Sequence, residues 1–245
     1  MIWLGRAAIL LAFLVAWQLA SGTLIPKMFV SDPISIGTTI VQWIEDGSLW
    51  NHLATSLVTL LIGYVLGAAI GIVAGFLLGL IRFADRTLAP FIAAFYGLPK
   101  VALLPLFVIF LGIGIESKVA LVAVVVAFLL FYNTRDGVRD IDPDLIDSLR
   151  LLGATQLEIL RKVLFPAALP WIYTGLRVAV GYALTTTVVG EVLSSNRGIG
   201  YLIESSAGRF NSAGVFAAVV VLVVLSLIIT ATLSRMELSS SRWRM

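Results

Sequence analysis

Apolar residues run through this chain in long stretches separated by short polar segments. The stretches have the length of membrane-crossing helices rather than of core elements. A hydrocarbon core is spanned by about 20 consecutive apolar residues in helical conformation. Runs of that kind cover approximately 7–25, 57–81, 89–112, 117–134, 168–193 and 213–234. The pattern predicts an all-α integral membrane protein with six transmembrane helices and a single transmembrane domain over 1–245. Arg6 before the first run and Leu19-Ala20-Ser21 near its end resemble a signal peptide and its cleavage site. Apolar character continues through Thr23-Leu24-Ile25, so the run is read as an uncleaved span.

The spans carry their own internal pattern. Gly63, Gly67, Gly71, Gly75 and Gly79 recur at a strict spacing of four. In water such glycines would weaken a helix, but in lipid a row of missing side chains lets a second helix approach closely. The row drifts around the helix, since 3.6 residues make a turn, and so suits a partner that crosses it. Gly175, Ala179, Ala183 and Thr187 repeat the device in the fifth span, which ends at Glu191. Before the second span, Asp32-Pro33 starts a short helix with Ile36, Ile40, Trp43 and Ile44 on one face. It either lies on the membrane surface or packs on the bundle, and packing is the preferred reading.

One polar segment, Thr134 to Pro170, is too long for a simple turn. Asp142-Pro143-Asp144 combines a cap, a first-turn proline and a first-turn acid. Leu145, Leu149 and Leu152 then form an apolar stripe, and Gly153-Ala154 breaks the run. Thr155-Gln156-Leu157-Glu158 reads as a capping box opening a second short helix, which Pro166 and Pro170 should end. The segment is therefore expected to be two amphipathic helices joined by a glycine elbow. An exposed apolar stripe on such a hairpin is a docking surface for a partner.

Charge placement orients the chain. Arg6, Arg82, Arg86, Arg135, Arg139, Arg150, Arg161, Lys162, Arg235, Arg242 and Arg244 fall in one set of inter-span segments. Lys27, Lys118, Arg197 and Arg209 fall in the alternate set, a bias of 11 to 4. Basic residues collect on the cytoplasmic side, which puts both termini and the elbow segment there. With 60% hydrophobic and 13% charged residues, the chain has too little polar surface for a soluble fold. It has no cysteine and one histidine, His52, so thiolate chemistry and multi-histidine metal sites are excluded. His52 has no neighbouring acid or nucleophile in sequence and reads as a plain surface or interfacial residue. There is neither a phosphate-binding loop nor a basic patch interleaved with aromatics, so no nucleic-acid partner is expected.

The elbow segment resembles a motif of the permease subunits of bacterial ABC importers: Glu-Ala-Ala, three residues, Gly, nine residues, Ile-x-Leu-Pro. This chain has Asp147-Ser148-Leu149, then Gly153, then Val163-x-Phe165-Pro166 at those spacings. Gly153 and Pro166 match in kind and Asp147 keeps the acid, while Ser148-Leu149 and Val163/Phe165 depart from the strict pattern. Three further stretches resemble the nitrate/sulfonate/taurine branch: Ser48 to Gly79, Leu98 to Gly114 and Gly175 to Tyr201. The likeness runs from about Pro33 to Leu233.

The resemblance implies a type I importer-like permease in the bacterial inner membrane, with a coupling loop at about 135–167 between helices 4 and 5. Two copies would form the pathway for a small polar, anionic nutrient delivered by an extracytoplasmic binding protein. A separate cytoplasmic ATPase dimer would hold ATP and Mg, leaving this chain non-catalytic and without a cofactor. Asp147, Ser148, Leu149, Leu152, Gly153, Ala154, Thr155 and Pro166 are the expected ATPase-coupling residues. Lys100, Thr186 and Glu191 are candidates for the translocation pathway, since ionisable groups in a span usually face a cavity or a partner. Lys100 has a structural pair or snorkelling as its alternative, and Glu191 a loop-anchoring role. Arg197, Gly200, Tyr201 and Arg209 are candidates for an outer gate or binding-protein contact, with a solvated turn as the alternative. A secondary ion-coupled transporter is the competing function, but it calls for an internal repeat and several intramembrane acids that the chain lacks.

Overall fold

The computed structural model describes residues 2–240, and its elements are helical throughout. In chain order they are α1 (Ile2–Ala20), α2 (Pro33–Glu45), α3 (Ser48–Leu80), α4 (Arg82–Gly97), α5 (Leu104–Leu111) and α6 (Ile115–Arg139). There follow α7 (Pro143–Leu151), α8 (Gln156–Ile159), α9 (Phe165–Ser194), α10 (Ile199–Gly208) and α11 (Ser212–Ser240). Of the basic residues that set the orientation, Arg242, Arg244 and the side chain of Arg235 lie outside the described residues. Contacts divide the chain into two compact units, Val58–Gly190 and the combination of Met1–Leu57 with Glu191–Met245.

In the unit Val58–Gly190, α6 is the central helix. Leu121, Val122, Val126 and Leu130 are completely buried. The glycine row of α3 lies against one side of α6. A Cβ added at Gly75 would stand 2.5 Å from the carbonyl oxygen of Phe131, so the helices touch backbone to backbone. On another side, Gly175 of α9 lets Leu130 and Asn133 approach to within 2.9 Å of where its Cβ would be. The small residues read as packing devices are therefore the surfaces that α6 uses.

The expected span 89–112 is not one straight helix. Two helical stretches, Arg82–Gly97 and Lys100–Leu111, meet at 86°. Leu98 is extended, as the residue before a proline prefers, and Pro99 has no N–H to continue the ladder. Among the described residues, four helices are long and apolar enough to cross a membrane: Ser48–Leu80, Ile115–Arg139, Gln156–Ser194 and Ser212–Thr232. The bent pair makes a fifth if counted as one. The first expected span, 7–25, is shorter than predicted. Its helix ends at Ala20, where Gly22 takes a positive φ of 84° and Ser21 bridges to Ile25.

In the other unit, α2 packs against α11, so it is a packing element rather than a surface float. Its cap is the one read from sequence. The Asp32 carboxylate accepts from the Ser35 N–H at 2.9 Å and pairs with Lys27 at 3.2 Å. That backbone N–H, helped by the Ser35 hydroxyl and Lys27, holds the Asp32 carboxyl well below the usual carboxylate range. Leu49, Ile199, Leu202 and Ala218 form the unit's core.

Candidate functional site

The elbow is built from both ends by capping. Asp142 accepts from the Asp144 N–H at 2.9 Å and starts α7. At the other end of α7, Gly153 takes φ +86°, a conformation costly for any residue with a Cβ. Its N–H reaches the Arg150 carbonyl, and that of Ala154 reaches Leu149, each at 3.0 Å. Thr155 and Glu158 then close the capping box, with the Thr155 N–H donating to Glu158 at 3.0 Å. Nothing lies within 4 Å of the Gly153 Cβ position, so its requirement is purely conformational.

These caps push apolar side chains outward. Leu152 is 83% exposed and its neighbour Leu151 89%, while Leu145 and Leu157 are half exposed. Leu149 is partly buried. Asp147 pairs with Arg150 at 2.9 Å, and the Ser148 hydroxyl donates to the Asp144 carbonyl at 2.7 Å, so both reinforce α7. The patch is thus centred on Leu151–Leu152, at the C-terminal end of the stripe read from sequence rather than at its middle.

The second short helix does not end where predicted. Residues 156–194 form one continuous helical run that contains both Pro166 and Pro170. Pro166 sits in the first turn of α9, just after a π turn over Leu160–Leu164. There the Phe165 N–H reaches back five residues to Leu160. The wider turn gives the proline ring room and rearranges the ladder where its N–H is missing, so the helix continues. A proline count could not reveal this, because the compensating π turn has no side-chain signature.

Close by in the same unit is a charged cluster that sequence reasoning missed. The Asp85 carboxylate, 2% exposed, is gripped by the Arg135 guanidinium and by Arg139 at 2.7 Å. Residues 135 and 139 are one turn apart on α6, so one acid from α4 ties down both arginines. Arg135 Nη2 donates to the Asp85 carboxylate at 2.8 Å, fastening the start of α4 to the end of α6.

Lys100 lies at the 86° bend. Its Nζ donates to the Tyr96 carbonyl at 2.7 Å and stands 4.6 Å from the Tyr96 ring and 5.1 Å from that of Phe128. A carbonyl oxygen and aromatic faces are favourable neighbours for a cation, so Lys100 has structural partners within the chain. Thr186 is 5% exposed and Glu191 1% exposed. Neither opens onto the surface of this chain.

Glu191 belongs to a latch in the unit that contains α10. The Ser56 hydroxyl contacts both Glu191 carboxylate oxygens, at 2.8 and 2.9 Å. Three successive amides at the start of α10 are each taken by a side chain. Gly198 N–H donates to His52 Nδ1 at 3.0 Å, Ile199 N–H to Ser56 Oγ at 2.9 Å, and Gly200 N–H to Glu191 Oε2 at 2.9 Å. Helix starts leave such donors without partners, and an acid there is favoured by the helix dipole. Gly198, at φ +111°, packs so tightly on the Glu191 carboxylate that no Cβ fits.

His52 is therefore not a plain surface residue: it accepts this bond and stacks on Tyr201 at 5.7 Å. The signal available in sequence was the spacing of His52 and Ser56, which places both on one helix face. Gly200 and Tyr201 are brought together in the latch, Arg197 lies exposed beside it, and Arg209 caps the far end of α10.

Along α9 a different set faces outward. Thr174, Arg177, Gly181 and Thr185 are all exposed and follow one another at three- and four-residue steps. The threonine hydroxyls donate to carbonyls one turn back, at 2.9 Å for Thr174 and 3.0 Å for Thr185. A polar row on an otherwise apolar membrane helix marks water or a partner rather than lipid. Thr186, the neighbour of Thr185, is buried and does not belong to this row.

Known proteins resemble this arrangement. A family model described as "Binding-protein-dependent transport system inner membrane component" matches residues 67–237. The riboflavin transport system permease protein RibX of Chloroflexus aurantiacus is 35% identical over 98% of this chain and 90% of its own length. The putative aliphatic sulfonates transport permease protein SsuC of Escherichia coli is 33% identical over 98% and 93%, respectively. The taurine transport system permease protein TauC of the same organism is 29% identical over 98% and 88%. Among solved structures, the MetNI methionine ABC transporter in an inward-facing conformation matches at a TM-score of 0.61 and 23% identity, over 79% of this chain and 94% of that one. An amino acid ABC transporter with histidines matches at 0.65 and 18%, over 88% and 100%. These likenesses concern the fold.

Proposed function

The chain belongs to the family of binding-protein-dependent transport system inner membrane components, and from that premise we propose how its residues divide the work. It is a multi-pass membrane subunit of an ABC importer for a small nutrient. We assign the elbow at 142–158 to the ATPase partner, with Leu151 and Leu152 as the apolar contact and Gly153 fixing its shape. What supports this is the capping at both ends of α7, which holds two leucines almost fully exposed on a polar loop. Apolar side chains held out by a rigid frame have no role in the fold and suit a groove on a partner.

In this reading the elbow and both termini are cytoplasmic, as the arginine distribution favours. Two copies of the chain enclose the pathway, and the polar row of α9, with Arg177 at its centre, lines it. A guanidinium there favours a small anion such as a sulfonate or carboxylate. Relatives named for taurine and aliphatic sulfonates accord with that class. An extracytoplasmic binding protein delivers the substrate, and the 195–201 loop held by the latch is its contact. ATP and Mg belong to the ATPase chain. The latch rather than the pathway is the place assigned to Glu191.

The test is co-purification followed by uptake. Affinity-purified chain should bring an ATPase with it, and proteoliposomes with the binding protein should take up substrate on ATP addition. Gly153→Val should leave membrane insertion unchanged and reduce the co-purified ATPase by about fivefold or more, since a β-branched residue resists positive φ by about 1–2 kcal/mol. Uptake driven by a proton or sodium gradient without ATPase would establish the secondary-transporter alternative instead.

A further inference from the structure

A second feature of the unit Val58–Gly190 is independent of transport. A half-open cleft of about 1010 Å³ lies between the start of α4, the end of α6 and the elbow helices. Four arginines line it: Arg82, Arg86, Arg139 and Arg150. Two are ion-paired, Arg139 with Asp85 at 2.7 Å and Arg150 with Asp147 at 2.9 Å. Arg82 and Arg86 are exposed, and among the described residues neither is ion-paired. They stand four apart on α4, so both guanidiniums project from one face.

Apart from Asp147 and Gln156, the remaining wall is apolar, with Leu80, Val138, Ile159 and Leu160 among its residues. Next to the two arginines, Leu77, Ile81 and Phe83 are exposed along the end of α3 and the start of α4. The cleft therefore presents two cations without an ion-pair partner at the end of a membrane-crossing helix, with exposed apolar residues next to them in the chain.

We propose that this cleft binds an anionic phospholipid. The phosphodiester lies between Arg82 and Arg86, and an acyl chain follows the Leu77–Ile81–Phe83 strip. Arginine forks suit phosphate oxygens, and basic pockets at helix ends favour anionic headgroups over zwitterionic ones. A free phosphate would leave the apolar wall and most of the volume without a partner. An acidic segment of the ATPase would need no exposed apolar side chains next to the arginines.

The experiment uses the full-length chain purified from membranes together with whatever ATPase accompanies it, delipidated in neutral detergent. Binding of short-chain phosphatidylglycerol is measured by native mass spectrometry. Phosphatidylcholine and inorganic phosphate serve as the other arms. Phosphatidylglycerol should bind, phosphatidylcholine should not, and Arg82→Gln/Arg86→Gln should weaken binding about tenfold. Arg82→Lys/Arg86→Lys keeps the charge and should restore most of it, which separates the site from misfolding. Equal binding by wild type and the glutamine variant would overturn the proposal. So would displacement of phosphatidylglycerol by an equal concentration of phosphate, which would mark a simple anion site. Release of the lipid only when ATPase is added would also overturn it, by showing that the cleft is the ATPase seat. Lipid binding in preparations that hold no ATPase would uphold the cleft while counting against the elbow assignment.

Discussion

Replacing Gly67 with alanine puts a methyl group where the backbone of α6 already sits. The new Cβ would lie 2.5 Å from the Ala123 carbonyl oxygen, 2.8 Å from Val126 Cβ and 3.0 Å from Ala123 Cα. Ordinary contact begins near 3.4 Å, so α6 must retreat by about 0.9 Å. It cannot do so locally, because Gly63, Gly71, Gly75 and Gly79 meet the same helix at every turn. A gap of that size forfeits a quarter to a half of each dispersion contact along the seam. Overpacking ordinarily costs about 1–3 kcal/mol, and a rigid backbone neighbour puts this case near the upper end. Alanine regains about 1 kcal/mol in helix propensity, leaving a net loss of about 2 kcal/mol.

Gly37 provides the control. It lies in α2 with nothing within 4 Å of its Cβ position, so Gly37→Ala should stabilise by about 1 kcal/mol. The same chemical change is thus predicted to act with opposite signs at two glycines. Unfolding in mixed micelles, followed by the fluorescence of the six tryptophans, measures both. The double variant Gly67→Ala/Gly71→Ala should lose less than the sum of the single losses, because one retreat of α6 accommodates both methyls. Wild-type stability in Gly67→Ala, or simple additivity in the double variant, would show that the two helices do not meet along this row.

Three further outcomes follow from the other sites. Asp85→Ala leaves Arg135 and Arg139 as neighbouring like charges; these side chains are 20% and 31% exposed, so the usual penalty for breaking a buried pair is softened to about 2 kcal/mol. The same unfolding assay measures that loss, and wild-type stability would remove the cluster from the account of α4. His52→Phe keeps the ring but removes the acceptor for Gly198. Hydrogen exchange at residues 198–200 should speed up about fivefold, as expected for a lost hydrogen bond of about 1 kcal/mol, and unchanged exchange would refute the latch. Asp32→Ala should cost about 1 kcal/mol near neutral pH as a lost cap. Because the folded carboxyl titrates below its unfolded value, this contribution is present above the unfolded pKa and disappears as pH falls through the folded one. The gap between wild type and variant should therefore close in strong acid, and a gap that widened there would contradict the cap.

Much of the local structure was legible because its cause lies within a few residues. The Asp142-Pro143 start, the Thr155/Glu158 box and the break at Gly153 are short-range requirements, and the structure places each where the sequence does. The glycine row was legible too, because its meaning depends only on its spacing. What could not be read were events that depend on a distant partner or on the backbone alone. Asp85 looks like a surface acid until Arg135, 50 residues later, closes on it. His52 looks idle until the 198–200 amides arrive from more than 140 residues away. The bend at Pro99 and the passage through Pro166 show the same residue type with opposite results. One follows an extended Leu98, the other a π turn, and hydropathy registers neither.

The latch has a consequence for selectivity. Three adjacent amides at a helix start, left bare, would form a ready seat for any passing anion. In this chain that seat is occupied from within by the Glu191 carboxylate, with Ser56 and His52 filling the places beside it. A small anion near α10 thus meets a slot already taken by a tethered competitor of its own charge. The start of α10 cannot become a trap for such an anion, because the helix carries its own permanent occupant there.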